Sequence, residues 1–316
     1  MTKIKIENTM PNHLFGQIQR YSCGIGITEL LYGQAPWQVI VLFAVISQLG
    51  DVWFLFLLGG SLYIAGRHFP WCGVERRRGL FVFGLVLIYI SLIGVLKNVF
   101  MLPRPPGATT SLTVPGLPIL FSAVIAAITT AHGFGFPSGH ALGTTLVWGG
   151  FALVLDRKSN HARFGVAGAV IFLVSLARLV LGVHYPVDVL AGIGIGILSL
   201  GILYRLTDDG TAPTRLLFLA VVIGFVGLVI NPSVESVAAL GGALGGWTVW
   251  RTVADLTSAH PADRREVTVG FAMLALAAGF VGGIYALRLS YIVTFLGAVV
   301  AVGTIVATPL LSEKLT

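Results

Sequence analysis

The sequence predicts an all-α fold, a polytopic membrane helical bundle with a five-span core and a four-span C-terminal extension. Three observations predict it. Of 316 residues, 56% are hydrophobic and only 10% charged. Soluble domains carry roughly 25% charged residues, so this chain lacks the polar surface to cover itself in water. Several apolar runs reach the ~20 residues needed to cross a bilayer as a helix. The Lys and Arg residues gather in short loops between those runs, which is the positive-inside pattern. That pattern accounts for the formal net charge of +7. There is no basic run interleaved with aromatics, so membrane lipids are expected partners and nucleic acid is not.

The elements follow in order. Residues 1–36 have no continuous apolar core and no small-residue cleavage site, so they do not read as a signal peptide. Leu14, Phe15, Ile18 and Tyr21 fall at roughly helical spacing, which suits an interfacial amphipathic helix; a loosely ordered tail is the alternative. The run 37–66 would be ~45 Å long as one helix, too long for one span and short for two. Asp51 interrupts it. The first span is therefore placed at 47–66, with 37–46 as its projecting or interfacial start. After a basic loop, the second span (79–97) ends on Lys97, and Pro103-Arg104-Pro105-Pro106 forbids further helix. In the long loop 106–136, the apolar middle (118–130) is expected to lie against the outer surface or line a lipid entrance. Spans three to five fall at 140–156, 164–181 and 188–206. Four more follow at 215–231, 235–250, 267–287 and 290–311. The expected domains are an interfacial segment (1–46), a core (47–210) and a transmembrane extension (211–316).

Counting Lys and Arg in the short loops orients the chain. Arg67, Arg76, Arg77, Arg78, Arg157, Lys158, Arg163, Arg205 and Arg215 follow spans one, three and five. Those ends are expected in the cytoplasm of a cell-membrane protein, with the N-terminus outside and the C-terminus inside. Cys23 and Cys72 then lie on opposite sides, and no disulfide is expected between them.

The same threading gathers a polar set at the outer face: Lys97 and Arg104, then Ser138, Gly139 and His140, then Arg178, His184 and Asp188. Snorkelling explains Lys97 but not two histidines and a carboxylate on one rim. Phosphoryl transfer wants this set. Lys97, Arg104 and Arg178 would neutralise a phosphate monoester and its transition state. Ser138 and the amides of Gly139 and His140, at a helix start, would complete the cradle. Asp188 lies four residues after His184, so it can accept from Nδ1 and leave Nε2 as a neutral nucleophile. His140 would protonate the leaving alkoxide and then activate water. With three fixed cations no metal is required, and no cofactor is expected.

Three ordered motifs carry a resemblance: Lys97 with Arg104-Pro105, Pro137-Ser138-Gly139-His140, and Arg178 with His184 and Asp188. Together they resemble the signature of the type 2 phosphatidic acid phosphatase superfamily, which includes lipid phosphate phosphatases and vanadium haloperoxidases. The resemblance implies a helical core and a phosphohistidine mechanism. By motif position it implies His184 as nucleophile, Asp188 as its partner and His140 as general acid. It implies phosphate binding by Lys97, Arg104, Ser138, Gly139 and Arg178. Two departures stand out. Ala177 precedes Arg178 where the family usually has Ser, with Ser175 two residues away facing elsewhere. The core also offers five spans where membrane members usually have six.

The expected substrate is a lipid phosphate or pyrophosphate monoester. A phosphotransferase or head-group transferase using the same site, and an anionic-lipid transporter or flippase without chemistry, are the alternatives. In the extension, Gly241, Gly242, Gly245 and Gly246 form two overlapping small-xxx-small pairs, which suit close helix packing or a contact between copies in a homo-oligomer.

Overall fold

An apolar chain in a bilayer must satisfy its backbone internally, and continuous hydrophobic runs do so as helices. The structure, a computed structural model, describes residues 36–69, 72–110, 119–254, 264–287 and 289–314. The expected N-terminal amphipathic helix and Cys23 lie outside these residues.

Among the described residues the regular structure is entirely helical. The helices are α1 (Trp37–Ser47), α2 (Val52–Ala65), α3 (Arg76–Phe100), α4 (Ile119–Thr129), α5 (Gly139–Val154) and α6 (Asn160–Val180). They continue as α7 (Pro186–Leu206), α8 (Pro213–Ile230), α9 (Val234–Val253), α10 (Arg264–Leu287), α11 (Tyr291–Val306) and α12 (Thr308–Lys314). The starts are local. Ser159 and Ser233 cap α6 and α9 by accepting from the amides of Ala162 and Ser236, and Pro186 and Pro213 open α7 and α8. Among the described residues, five helices (α3, α6, α7, α8 and α10) are each long and apolar enough to cross a membrane; α1 and α2 add a sixth if they count as one bent span. This is a multi-pass membrane protein.

The central helix is α3. It packs against α2, α5, α8 and α9, and its middle, from Leu80 to Tyr89, is fully enclosed. The extension does not stand apart from the core: Leu216 and Leu217 of α8 and Trp250 of α9 belong to the same hydrophobic cluster as Phe81 and Phe83. Gly241 and Gly245 of α9 lie against the backbone of α11 at Phe295 and Val299, where a Cβ would collide.

The first span differs from the expectation. A 3₁₀ turn at Gln48–Gly50 joins α1 and α2, which are bent by 44°. Rather than projecting, α1 is packed: Ile40 and Ala44 are buried in a second cluster with Ala108, Leu181 and Val183. The physical reason is Asp51, whose carboxylate caps α2 through the amide of Trp53 at 3.4 Å. That cap starts a new helix where periodicity alone sees an interruption. Within loop 106–136, α4 packs on α1.

Candidate active site

Four ends of the bundle meet at one place. They are the break between α1 and α2, the end of α3, the start of α5, and the turn from α6 to α7.

The end of α3 is set by Met101 in a left-handed conformation (φ 50°) ahead of Pro103. The extended stretch that follows is pinned by the 130–138 loop, where the Gly135 amide donates to the Leu102 carbonyl at 2.7 Å. A Cβ on Gly135 would stand 2.8 Å from the Pro103 carbonyl oxygen, so the close approach requires glycine. Arg104 is thereby clamped. Its Nε donates to the His132 carbonyl at 3.1 Å, and its Nη1 donates to the Val183 carbonyl at 2.9 Å. The same Nη1 lies 3.0 Å from Nε2 of His184.

His184 and Asp188 straddle the start of α7. Oδ2 of Asp188 accepts from the Tyr185 amide at 2.9 Å and lies 3.2 Å from Nδ1 of His184. Helix capping and histidine orientation are therefore two jobs of one carboxylate. The Asp188 carbonyl accepts from the Ser138 amide at 2.9 Å, tying the first turn of α7 to the start of α5. Gly192 permits this: a Cβ there would sit 2.7 Å from the Ser138 carbonyl oxygen. With Nδ1–H given to Asp188, the Nε2 lone pair of His184 accepts from Arg104. Burial above all, then the charges of Arg104, Arg178 and Lys97, holds the His184 imidazole well below its usual pKa. It is neutral at pH 7. Burial also lowers the Arg104 guanidinium from its usual value, with Asp188 opposing.

The remaining residues close the site. Lys97 stands in the last turn of α3. Arg178, in the last turn of α6, is buried, and its Nη1 donates to the Ser47 hydroxyl at 2.7 Å. Its Nε has no hydrogen-bond partner among the described residues. Ser138 is buried and its Oγ accepts from the Ala141 amide at 3.5 Å. His140 points Nε2 at Oδ2 of Asp51, 3.6 Å away. Gly139 starts α5, but its missing Cβ would face Ile93 and Tyr89 of α3 at 3.3 and 3.4 Å. Its smallness serves the close α3–α5 contact.

All eight residues predicted from the sequence thus converge on this end of the bundle. Two partners were missed. Ser47 supplies the hydroxyl that Ala177 cannot, whereas Ser175 has its Oγ buried without a partner among the described residues. Asp51 faces the second histidine. A carboxylate inside an apolar run is the signal that could have found it.

Residues 79–212 match the PAP2 superfamily. The chain is also 37% identical over 71 residues to phosphatidylglycerophosphatase B of Bacillus subtilis (strain 168), a stretch covering 21% of this chain and 35% of the relative. The chain thus spans about a third of that relative's length. No solved structure matches significantly. The matched segment contains Lys97, Arg104, Ser138, His140, Arg178, His184 and Asp188; Ser47 and Asp51 lie before it.

Proposed function

We propose that the chain is an integral membrane phosphatase that hydrolyses a lipid phosphate or pyrophosphate monoester through a phosphohistidine on His184. The observation that carries this reading is the placement of His184, with Asp188 on Nδ1 and a cationic cradle before Nε2. The PAP2 match and the likeness to a phosphatidylglycerophosphatase support a lipid phosphate as substrate.

The chemistry follows from the atoms. An incoming phosphate takes Arg104 Nη1 as a donor, releasing the Nε2 lone pair. Arg178, Lys97 and the first amides of α5 hold the remaining oxygens. Nε2 then forms a bond to phosphorus as the bond to the leaving oxygen breaks, and imidazolium His140 gives its proton to that oxygen. In the second half, neutral His140 takes a proton from water as the water oxygen bonds to phosphorus and the P–N bond breaks. Free phosphate leaves, and both histidines return to their starting states.

The side of the membrane follows from charge. Arg76, Arg78, Arg157 and Arg163 lie at the opposite ends of α3, α5 and α6 from the site. By the positive-inside bias the site faces outward and opens to the outer leaflet.

The test is direct. Protein purified in EDTA is expected to release phosphate from phosphatidylglycerophosphate or phosphatidate, and His184→Ala is expected to lose the activity. Acid-labile, base-stable phosphoenzyme should be trapped from the wild type only. Release that requires an added alcohol would replace hydrolysis with transfer. Intact substrate moved across vesicles, without phosphate release, would overturn the enzyme.

A further inference from the structure

The break in the first span does more than bend a helix. Resting on the phosphatase reading above, we propose that Asp51 is the positioning residue of His140, forming a second histidine–carboxylate pair that serves leaving-group protonation as Asp188 serves His184.

The geometry carries this from several sides. Oδ2 of Asp51 faces Nε2 of His140 at 3.6 Å, while Oδ1 accepts from the Trp53 amide at the start of α2. One oxygen therefore fixes the carboxylate to the backbone and the other is left for the imidazole. The turn is held against α5 and α6. Trp148 donates Nε1–H to the Leu49 carbonyl at 3.0 Å. A Cβ on Gly50 would collide with the Thr144 hydroxyl and with Val174. Thr144 in turn donates to the His140 carbonyl at 2.6 Å. The turn carrying Asp51 is thus keyed to the helix turn carrying His140. The same segment sends Ser47 to Arg178.

The charged groups facing His140 are Asp51 from the break, Arg178 from α6 and Lys97 from α3. Two of the three are cations, which oppose an imidazolium. A general acid here needs a carboxylate beside it to hold the proton until the leaving oxygen departs. Asp51 is the one carboxylate among these facing groups. It acts only through His140: the proton that reaches the leaving oxygen comes from the imidazolium, and the proton from water returns to it.

The experiment compares leaving groups. kcat/KM reports the step in which the leaving oxygen departs. An alkyl lipid phosphate needs its leaving oxygen protonated, whereas p-nitrophenyl phosphate releases a stable phenolate. Asp51→Asn keeps an N-cap acceptor for α2. It is expected to lower kcat/KM on the alkyl substrate roughly tenfold or more beyond its effect on the aryl one. His140→Ala should show the same selectivity, and the double variant should be no worse than His140→Ala alone. An equal fall on both substrates, no fall, or additive effects in the double variant would overturn the pair. Asp51→Ser, another good cap, makes the same comparison if Asp51→Asn does not fold. If the wild type hydrolyses neither substrate, the phosphatase reading itself fails; wild-type activity lost in His184→Ala but without leaving-group selectivity in Asp51→Asn removes only this inference.

Discussion

Arg104 holds three acceptors with one guanidinium: two carbonyls from different loops and Nε2 of the buried His184. A lysine is a point charge on a flexible stem and cannot reproduce that fork. Losing hydrogen bonds to a charged group costs about 1.5–3 kcal/mol each. Arg104→Lys is accordingly expected to lower kcat/KM by roughly 10- to 100-fold, read from steady-state phosphate release. The lowered His184 pKa has consequences of definite sign. At saturating substrate, single-turnover phosphoenzyme formation should stay level as pH falls through ~6.5, where an ordinary imidazole would be lost as nucleophile. Stability moves the other way. The unfolded chain binds this proton near pH ~6.5 and the folded chain only well below it, so folding weakens as pH drops from ~6.5 toward the folded pKa. Thermal unfolding in detergent should show less acid sensitivity in His184→Gln than in the wild type.

At the scale of elements, the site depends on how closely helix ends can approach. Gly192 brings α7 onto the start of α5, where the Asp188 carbonyl meets the Ser138 amide. Gly192→Leu is expected to force the two helices apart, costing about 1–3 kcal/mol of stability. It should lower activity further than that loss explains, because His184 and Asp188 move with α7. The broken first span contributes at the same scale. Ser47→Ala leaves a buried Arg178 donor without its hydroxyl, so inhibition by inorganic phosphate is expected to weaken several-fold while the fold persists. Isothermal unfolding and inhibition curves on one preparation separate the two effects.

The described helices form one bundle in which the extension is tied to the core. Arg76 at the start of α3 and Glu266 at the start of α10 form a buried ion pair, and the Tyr63 hydroxyl of α2 donates to the Val306 carbonyl of α11 at 2.7 Å. Removing one partner of a buried pair costs about 3–5 kcal/mol. Glu266→Gln is expected to lower the unfolding temperature markedly. Arg76→Met with Glu266→Leu should recover much of the loss, since neither charge is then stranded. At a temperature where all are folded, turnover should differ little, as this pair lies at the other end of α3 from Lys97.

What was legible in the sequence is what short-range geometry determines. Apolar runs and basic loops define the bundle because a bilayer leaves the backbone few alternatives. His184 and Asp188 find each other because they are four residues apart at a helix start. Lys97 and Arg104 are brought near each other because α3 ends between them. Tertiary structure alone decided the rest. It set Ser47 on Arg178 across 131 residues, turned Asp51 from an interruption into a partner of His140, and laid Arg104 over Nε2 of His184. The reason is packing: hydropathy places a residue at a depth in the membrane but does not say which neighbouring helix it faces. That choice is made by close contacts such as Gly50 on Thr144, Gly135 on Pro103 and Gly192 on Ser138, which exist only once the helices have docked.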